Sequence, residues 1–99
     1  MGGTTDYQRF CDSLGETSPP RAIAAELQAM WWARNADWGR AHKIVQDLET
    51  VAAARVHAYL HRVEGDLENA NYWYARAGEP STDASLDEEW EALTKRLLG

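Results

Sequence analysis

The feature that most restricts the fold of this chain is a regular succession of helix-capping residues, each followed by a segment with helical periodicity. The capping residues are Asp37, Thr50, Asp66 and Ser85. Their side chains can accept hydrogen bonds from the unpaired N–H groups of a first helical turn, and the apolar residues that follow recur at helical spacing. No segment alternates between apolar and polar residues for long enough to predict a strand. The sequence therefore predicts an all-α fold.

We predict six helices from these start and stop signals. The first is a short helix behind Thr5, ended by Gly15. The second begins at Ser18-Pro19-Pro20, since proline suits the first turn of a helix, and runs to about Arg34. The other four follow the capping residues named above and cover roughly 38–48, 51–64, 67–77 and 86–97.

One apolar stripe on each of the five longer helices predicts the core. The stripes comprise Ile23, Leu27, Met30 and Trp31; Trp38, Ala41, Ile44, Val45 and Leu48; Val56, Leu60 and Val63; Leu67, Ala70, Trp73, Tyr74 and Ala77; and Leu86, Trp90, Leu93 and Leu97. A chain of 99 residues with 44% hydrophobic content is sufficient for one core. We therefore expect residues 1–99 to form a single domain.

Composition excludes several classes of function. Sixteen acidic and ten basic side chains give a net charge of −6, which disfavours nucleic acid as a partner. No apolar run is long enough to span a bilayer, so we expect no membrane contact. Cys11 is the single cysteine and cannot form an internal disulfide, and residues 1–6 lack the pattern of a secretory signal. These observations predict a cytoplasmic protein.

The middle of the chain contains a repeat with an offset of 29 residues, measured from Asp37 to Asp66. At this offset Ala41 matches Ala70, and Ala29 matches Ala58. The apolar stripe after the first aspartate maps onto the stripe after the second in the same register. The sequence therefore predicts two similar helical hairpins, in which small residues allow the helices of each pair to approach closely.

The second unit resembles a tetratricopeptide repeat. The likeness rests on the stretch 65–70 (Gly-Asp-Leu-Glu-Asn-Ala), followed by Tyr74, Ala77 and Pro80, and it covers about residues 22–80. His57 and His61 depart from the family pattern, which has a leucine and an aromatic residue there, and the unit is shorter than the family's. The segment 61–74 also resembles one in small bacterial proteins, a likeness that implies no activity.

The resemblance implies two stacked tetratricopeptide-like hairpins over residues 18–80, flanked by capping helices. Residues 1–17 then form a partly flexible N-terminal segment, and residues 81–99 form a capping helix around Trp90. Such hairpins need covering at both ends, because two repeats seldom bury a continuous core alone. In the resembled family this architecture serves protein–protein interaction.

In the resembled family, one face of the first helix lines a groove that binds partner segments. Arg55, Tyr59 and Arg62 form that face here, and two guanidinium groups around a phenol suit a carboxylate. The residues that would continue the groove are Glu26, Met30 and Arg34. We expect a protein or peptide partner, or a second copy bound through aromatic surface as a homodimer. The alternative is a solvated face with weak Glu–Arg pairs.

The residues His57, His61 and Glu64 share one helix face and could bind a metal ion. With His42 or Asp66 nearby, they suggest a small metal-dependent or acid/base enzyme as an alternative function. Equally, both histidines can be interhelical residues that are hydrogen-bonded to a neighbour such as Asp66 or Tyr72. Because the sequence contains no nucleophile turn, phosphate loop or dinucleotide fingerprint, we assign no catalytic residue and no cofactor.

Overall fold

The computed structural model describes residues 5–99, and in that range it contains six helices and no strand. The predicted all-α class is confirmed. The expectations for residues 1–4 lie outside the described range. The helices are α1 (Asp6–Ser13), α2 (Ala25–Arg34), α3 (Trp38–Gln46), α4 (Val51–Val63), α5 (Leu67–Ala77) and α6 (Leu86–Leu98).

No helix between residues 5 and 99 has the length and apolar character required to cross a bilayer.

Five of the six helices begin at the capping residues that the sequence indicates. The side chains of Asp37, Thr50 and Asp66 each accept a hydrogen bond from the backbone N–H three residues on. Thr5 and Ser85 do the same and also form capping boxes, in which Gln8 and Glu88 reach back to the cap backbone. These bonds satisfy N–H groups that have no partner within the helix.

The predicted start of the second helix at Ser18-Pro19-Pro20 is wrong, because α2 begins at Ala25. Ala22 has a φ of 61°, which interrupts any helix, and Ala24 is extended without a side-chain cap. The side chain of Gln28 instead donates to the carbonyl of Ile23 at 3.1 Å. Proline permits a helix start but does not require one, and here the segment packs Ile23 against the core.

The most extensive contacts between helices are those of α4 with α5 and of α2 with α3. Helix α3 also contacts α4, while α6 lies against α1, α2 and α4. The core contains Trp31, Met30, Leu60, Val45 and Val56, each less than 2% exposed. Trp90 fixes α6 to this core, since its buried indole Nε1 donates to the Met30 carbonyl at 3.0 Å.

Four alanines allow the helices of each pair to approach closely. Ala29, Ala41, Ala58 and Ala70 all have 0% exposure. Ala29 and Ala58 are 29 residues apart and lie in the first helix of each pair, α2 and α4. Ala41 and Ala70 are also 29 residues apart and lie in the second helix of each pair, α3 and α5. Larger side chains at these positions would separate the helices, because a packed interior has no space for them.

The turns between α2 and α3 and between α4 and α5 share one backbone conformation. The Asp37 N–H donates to the Trp32 carbonyl at 2.9 Å, and the Asp66 N–H donates to the His61 carbonyl at 2.8 Å. The residue before each aspartate has a positive φ, 62° at Ala36 and 82° at Gly65. Every one of these positions is related to its counterpart by the same 29-residue offset.

Three predicted core residues are exposed: Val63 at 40%, Leu67 at 61% and Leu86 at 38%. Val63 is the last residue of α4, while Leu67 and Leu86 are the first residues of α5 and α6. Terminal turns extend beyond the neighbouring helices, so an apolar residue on the correct face remains uncovered there. The position of a side chain around the helix axis therefore predicts its burial only where another helix packs over that side chain.

Candidate functional site

The predicted groove face on α4 is covered by α6. Tyr59 is 4% exposed. Arg62 donates through Nη1 to Glu89 Oε1 at 2.5 Å and through Nη2 to the Ala84 carbonyl at 2.6 Å. The Tyr74 hydroxyl donates to the other oxygen of Glu89, also at 2.5 Å. A carboxylate therefore does lie on this face, and it comes from the same chain.

The three residues expected to continue the groove lie in different environments. Met30 is fully buried in the core. Glu26 accepts a hydrogen bond from the Thr50 hydroxyl at 2.6 Å. Arg34 pairs with Asp87 of α6 at 2.6 Å, and its guanidinium lies 5.0 Å from the centre of the Trp90 ring. The six residues thus do not line one open groove in the structure.

Burial changes the pKa of the tyrosines on this face. Burial raises the pKa of Tyr59 to about 12, where Glu89 and Asp87 add to the effect and Arg34 opposes it. The pKa of Tyr74 is also raised, first by burial and then by its hydrogen bond to Glu89. Both phenols therefore stay neutral well above the pH at which free tyrosine ionises.

Next to this face, a cavity of about 340 Å³ lies between α4, the segment after α5, and α6. Its apolar wall includes Pro80, Ala92 and Leu93, and its polar wall includes Arg55. The carboxylate of Glu79 pairs with Arg55 at 3.1 Å and forms a two-pronged pair with Arg96 at 3.0–3.1 Å. The hydrogen bond from Arg96, with help from Arg55, lowers the pKa of Glu79.

The Nε atom of Arg55 is buried and has no acceptor among residues 5–99. The rest of the side chain is partly accessible, with 23% exposure. A buried donor without an acceptor is uncommon in native proteins and costs about 1–3 kcal/mol. Arg55, the residue that carries this donor, also lines the cavity beside α6.

On the other contact surface of α4, all three histidines of the chain converge. His42 comes from α3, whereas His57 and His61 come from α4. One ring nitrogen of each lies within 4.8 Å of those of the other two. The Nε2 atoms of His42 and His57 are 3.0 Å apart. His57 and His61 are buried, and His42 is half-buried.

Glu64 holds the third histidine of this cluster. The Nδ1 atom of His61 lies 2.6 Å from Glu64 Oε1. Because a carboxylate accepts hydrogen bonds, Nδ1 is the donor, and in the neutral ring Nε2 then has a free lone pair. Both α4 histidines are buried and hydrogen-bonded to a neighbour, as the interhelical alternative expects, but their partners are His42 and Glu64 in place of Asp66 or Tyr72.

Two tryptophans orient the other two imidazole rings. The Trp38 ring stacks on His42 at 4.6 Å between centroids, and the Trp73 ring stacks on His57 at 3.8 Å. Trp38 is itself fixed by a 2.6 Å hydrogen bond from Nε1 to the Leu60 carbonyl. Burial, followed by the neighbouring histidines, lowers the pKa of His57 to about 4. Burial also lowers the pKa of His42.

The aromatic residues considered for self-association differ in accessibility. Tyr72 is 52% exposed and has the Arg76 guanidinium 5.9 Å from its ring centre. Trp32 is half-buried against Trp31, and the Arg40 guanidinium lies 4.2 Å from its ring. One face of the Trp73 ring is covered by the stacked ring of His57. These rings do not form one continuous exposed patch.

Sequence reasoning placed His57, His61 and Glu64 together because they share a helix, and it named His42 only as a neighbour. The α3–α4 contact brings His42 into the cluster. Sequence reasoning assigned neither Glu79, which follows α5, nor Arg96, which lies in the last turn of α6, to a site. Pairing consecutive helices as antiparallel neighbours could have identified His42, since short connections impose that arrangement.

Comparison with known proteins adds no assignment: no family model matches the chain, no curated protein matches it, and no solved structure matches it.

Proposed function

We propose that the protein is a small cytoplasmic interaction module built from two tetratricopeptide-like hairpins, α2–α3 and α4–α5. Two observations support a repeated unit: the shared turn conformation at Asp37 and Asp66, and the four buried alanines at the same offset. A single unpaired cysteine suits a reducing compartment. Helical modules of this kind act by presenting a surface to a segment of another protein.

The binding site in this proposal is the cavity beside Arg55, and the observation that carries it is the unpaired Nε donor. In this proposal, a rotation of the partly exposed Arg55 side chain brings Nε to the cavity that this residue lines. A guest that supplies an acceptor there removes the cost of the unsatisfied donor. An arginine fork can bind a second carboxylate through Nε while Nη2 keeps its bond to Glu79.

The remaining wall defines the chemistry of the guest. Pro80, Ala92 and Leu93 offer apolar contact next to the arginine. A volume of about 340 Å³ is near the lower limit for ligand pockets, so it suits one or two residues of a peptide. We therefore propose a partner segment that carries a carboxylate beside a small apolar side chain. A second copy of the chain is one possible source of that segment.

The test uses N-acetyl-leucine, which combines one carboxylate with one apolar side chain. Titration into ¹⁵N-labelled protein should move the Arg55 Nε–H signal saturably, together with the amides of Ala92 and Leu93. The expected dissociation constant is on the order of 1 mM, since the probe has few atoms. N-acetyl-leucinamide should bind about tenfold more weakly, because it cannot form the charge-assisted bond.

Arg55→Lys keeps the positive charge but removes Nε, so it should abolish the saturable shift of Ala92 and Leu93. Arg76→Lys makes the same change on α5 outside the cavity and should leave the shift unchanged. Binding that survives Arg55→Lys would contradict the proposal, as would no response at the highest soluble probe concentration. Sedimentation equilibrium of the wild type then shows whether the chain binds to itself.

A further inference from the structure

We propose that His42, His57 and His61 bind one zinc ion through their imidazole nitrogens. This site is separate from the Arg55 cavity in the residues it uses, so either proposal can fail without the other. Three features carry it: the convergence of the ring nitrogens, the fixed orientation of each ring, and the environment of the cluster.

The ring nitrogens already lie close to zinc-binding distances. Two imidazole nitrogens on a tetrahedral zinc, each about 2.0 Å from the ion, are roughly 3.3 Å apart. The Nε2 atoms of His42 and His57 are 3.0 Å apart, and one ring nitrogen of His61 lies within 4.8 Å of a ring nitrogen of each. The His42–His57 separation is thus close to this value, and in the proposed site His61 rotates to bring its lone pair to the same point. Zinc would replace the single hydrogen bond that His42 and His57 now share.

Each ring is held by a contact that leaves a nitrogen free for the metal. Glu64 accepts the proton of His61 Nδ1, which directs the lone pair of this ring to Nε2. A carboxylate behind a histidine is the usual support of a zinc ligand, since it fixes the tautomer and increases the basicity of the other nitrogen. Trp38 and Trp73 stack on the other two rings and restrict their rotation.

The environment favours zinc over harder cations. Imidazole is a ligand for zinc and similar transition metals, whereas magnesium and calcium prefer oxygen. The indole rings exclude water from two sides, while half-buried His42 leaves a route for the ion from solvent. Three protein ligands leave a fourth position for water or another donor, the arrangement of an open zinc site.

The histidines also belong to different hairpins. His42 lies in α3, the second helix of the first pair, while His57 and His61 lie in α4, the first helix of the second pair. A zinc ion bound by all three would connect the two hairpins at their contact. Metal binding should therefore stabilise the α3–α4 contact as well as fill the site.

The first measurement needs no variant. Protein without a histidine tag, stripped of metal with a chelator, is titrated with zinc chloride in a calorimeter. We expect one equivalent to bind with submicromolar affinity. In the zinc-loaded protein, the ¹⁵N signals of the three Nε2 atoms should shift, while the Nδ1 proton of His61 should remain bound to nitrogen. Co²⁺ should give the intense visible absorption of four-coordinate cobalt.

The second measurement identifies the ligands. His42→Gln removes a half-buried ligand and should weaken zinc binding at least about 100-fold. Glu64→Gln keeps an acceptor but loses its charge, so it should weaken binding about tenfold. Asp66→Asn, which preserves the helix cap, should not change the affinity. Cys11→Ser is the matched control for binding through the thiol and should also leave it unchanged.

A rival arrangement on the same helix end gives the opposite pattern. His61, Glu64 and Asp66 also lie within 4.8 Å of one another. If they were the ligands, Asp66→Asn and Glu64→Gln would abolish binding while His42→Gln would retain it. That pattern would overturn the proposal, and so would the absence of stoichiometric zinc binding by the folded wild-type protein. The wild-type ¹⁵N shifts decide the question even if a variant fails to fold.

Discussion

Two residues in equivalent turns show how a single backbone angle affects stability. Ala36 and Gly65 both have a positive φ immediately before a capping aspartate. Glycine adopts this conformation without strain, while a residue with a Cβ atom pays about 1 kcal/mol or more. Ala36 is exposed, so its methyl group makes no buried contact that a substitution would remove.

We predict that Ala36→Gly stabilises the protein by about 1 kcal/mol and that Gly65→Ala destabilises it by about the same amount. A Cβ atom at Gly65 would meet no atom within 4 Å, so the effect comes from the backbone alone. Gly39→Ala is the matched control: it lies within α3 and should stabilise by about 0.5–1 kcal/mol. Urea denaturation measures all three, and equal signs for Gly39→Ala and Gly65→Ala would contradict the argument.

The raised pKa of Tyr59 predicts how the free energy of unfolding changes at alkaline pH. Its folded pKa is about 12, against 10.0 for the free side chain. Between these values the unfolded state loses the phenol proton while the folded state keeps it. The contribution of the neutral phenol is therefore complete below pH 10 and is lost as the pH rises from 10 to 12. The loss is about 3 kcal/mol.

The measurement compares wild type with Tyr59→Phe, which removes the ionisable group and keeps the ring. Groups that face Tyr59, including Arg34, Asp87, Glu89 and Arg62, are common to both proteins and cancel in the difference. The free energy of unfolding of the wild type should fall more steeply than that of the variant above pH 10. Parallel curves would show that Tyr59 is not the cause.

A buried carboxylate of α6, that of Glu89, helps to attach this helix to the rest of the domain. Glu89 is paired with Arg62, and their side chains are 12% and 13% exposed. It also accepts the Tyr74 hydroxyl, so one residue of α6 satisfies donors from both α4 and α5. Removing it leaves a buried guanidinium without a counter-charge.

We predict that Glu89→Ala destabilises the protein by about 3–5 kcal/mol, the usual cost of breaking a buried ion pair on one side. Glu91→Ala is the matched control two residues away in α6. Its pair with Lys95 is about half exposed, at 51% and 53%, so its loss should cost less than about 1 kcal/mol. Thermal unfolding of both variants tests this, and similar losses for the two would exclude a special role for Glu89.

The elements that the sequence predicted well are those specified by local chemistry. Asp37, Thr50 and Ser85 cap helices through bonds to residues three positions on, so the signal is contained in a short segment. The start of α2 failed because it depends on the packing of Ile23, which is a tertiary contact. A local sequence pattern contains no information about which residues, distant in the chain, pack around a given side chain.

The same distinction applies to the candidate sites. His57 and His61 lie on one helix, so helical spacing alone brought them together, whereas His42 joins through the contact of α3 with α4. The stripe of Arg55, Tyr59 and Arg62 was identified from spacing as well. The residues that surround this stripe are set by the position of α6, which cannot be predicted from residue spacing within α4.

For the whole molecule, charge on the surface and charge in the interior have different roles. The chain has a net charge of −6. Several of its arginines are nevertheless paired with carboxylates of the segment after α5 and of α6, among them Arg34, Arg55 and Arg62. These pairs join α2 and α4 to residues far along the chain. The acidic residues Asp87 and Glu89 of α6 therefore take part in the packing of the domain.

The indole of Trp90, bonded to a carbonyl 60 residues earlier, has a consequence for synthesis on the ribosome. Until α6 has emerged from the exit tunnel, Met30 and Trp31 have no cover on that side. A nascent chain that stops before Trp90 would present this apolar surface to chaperones and proteases. The apolar interior is thus closed on this side only once α6 has been synthesised and has packed.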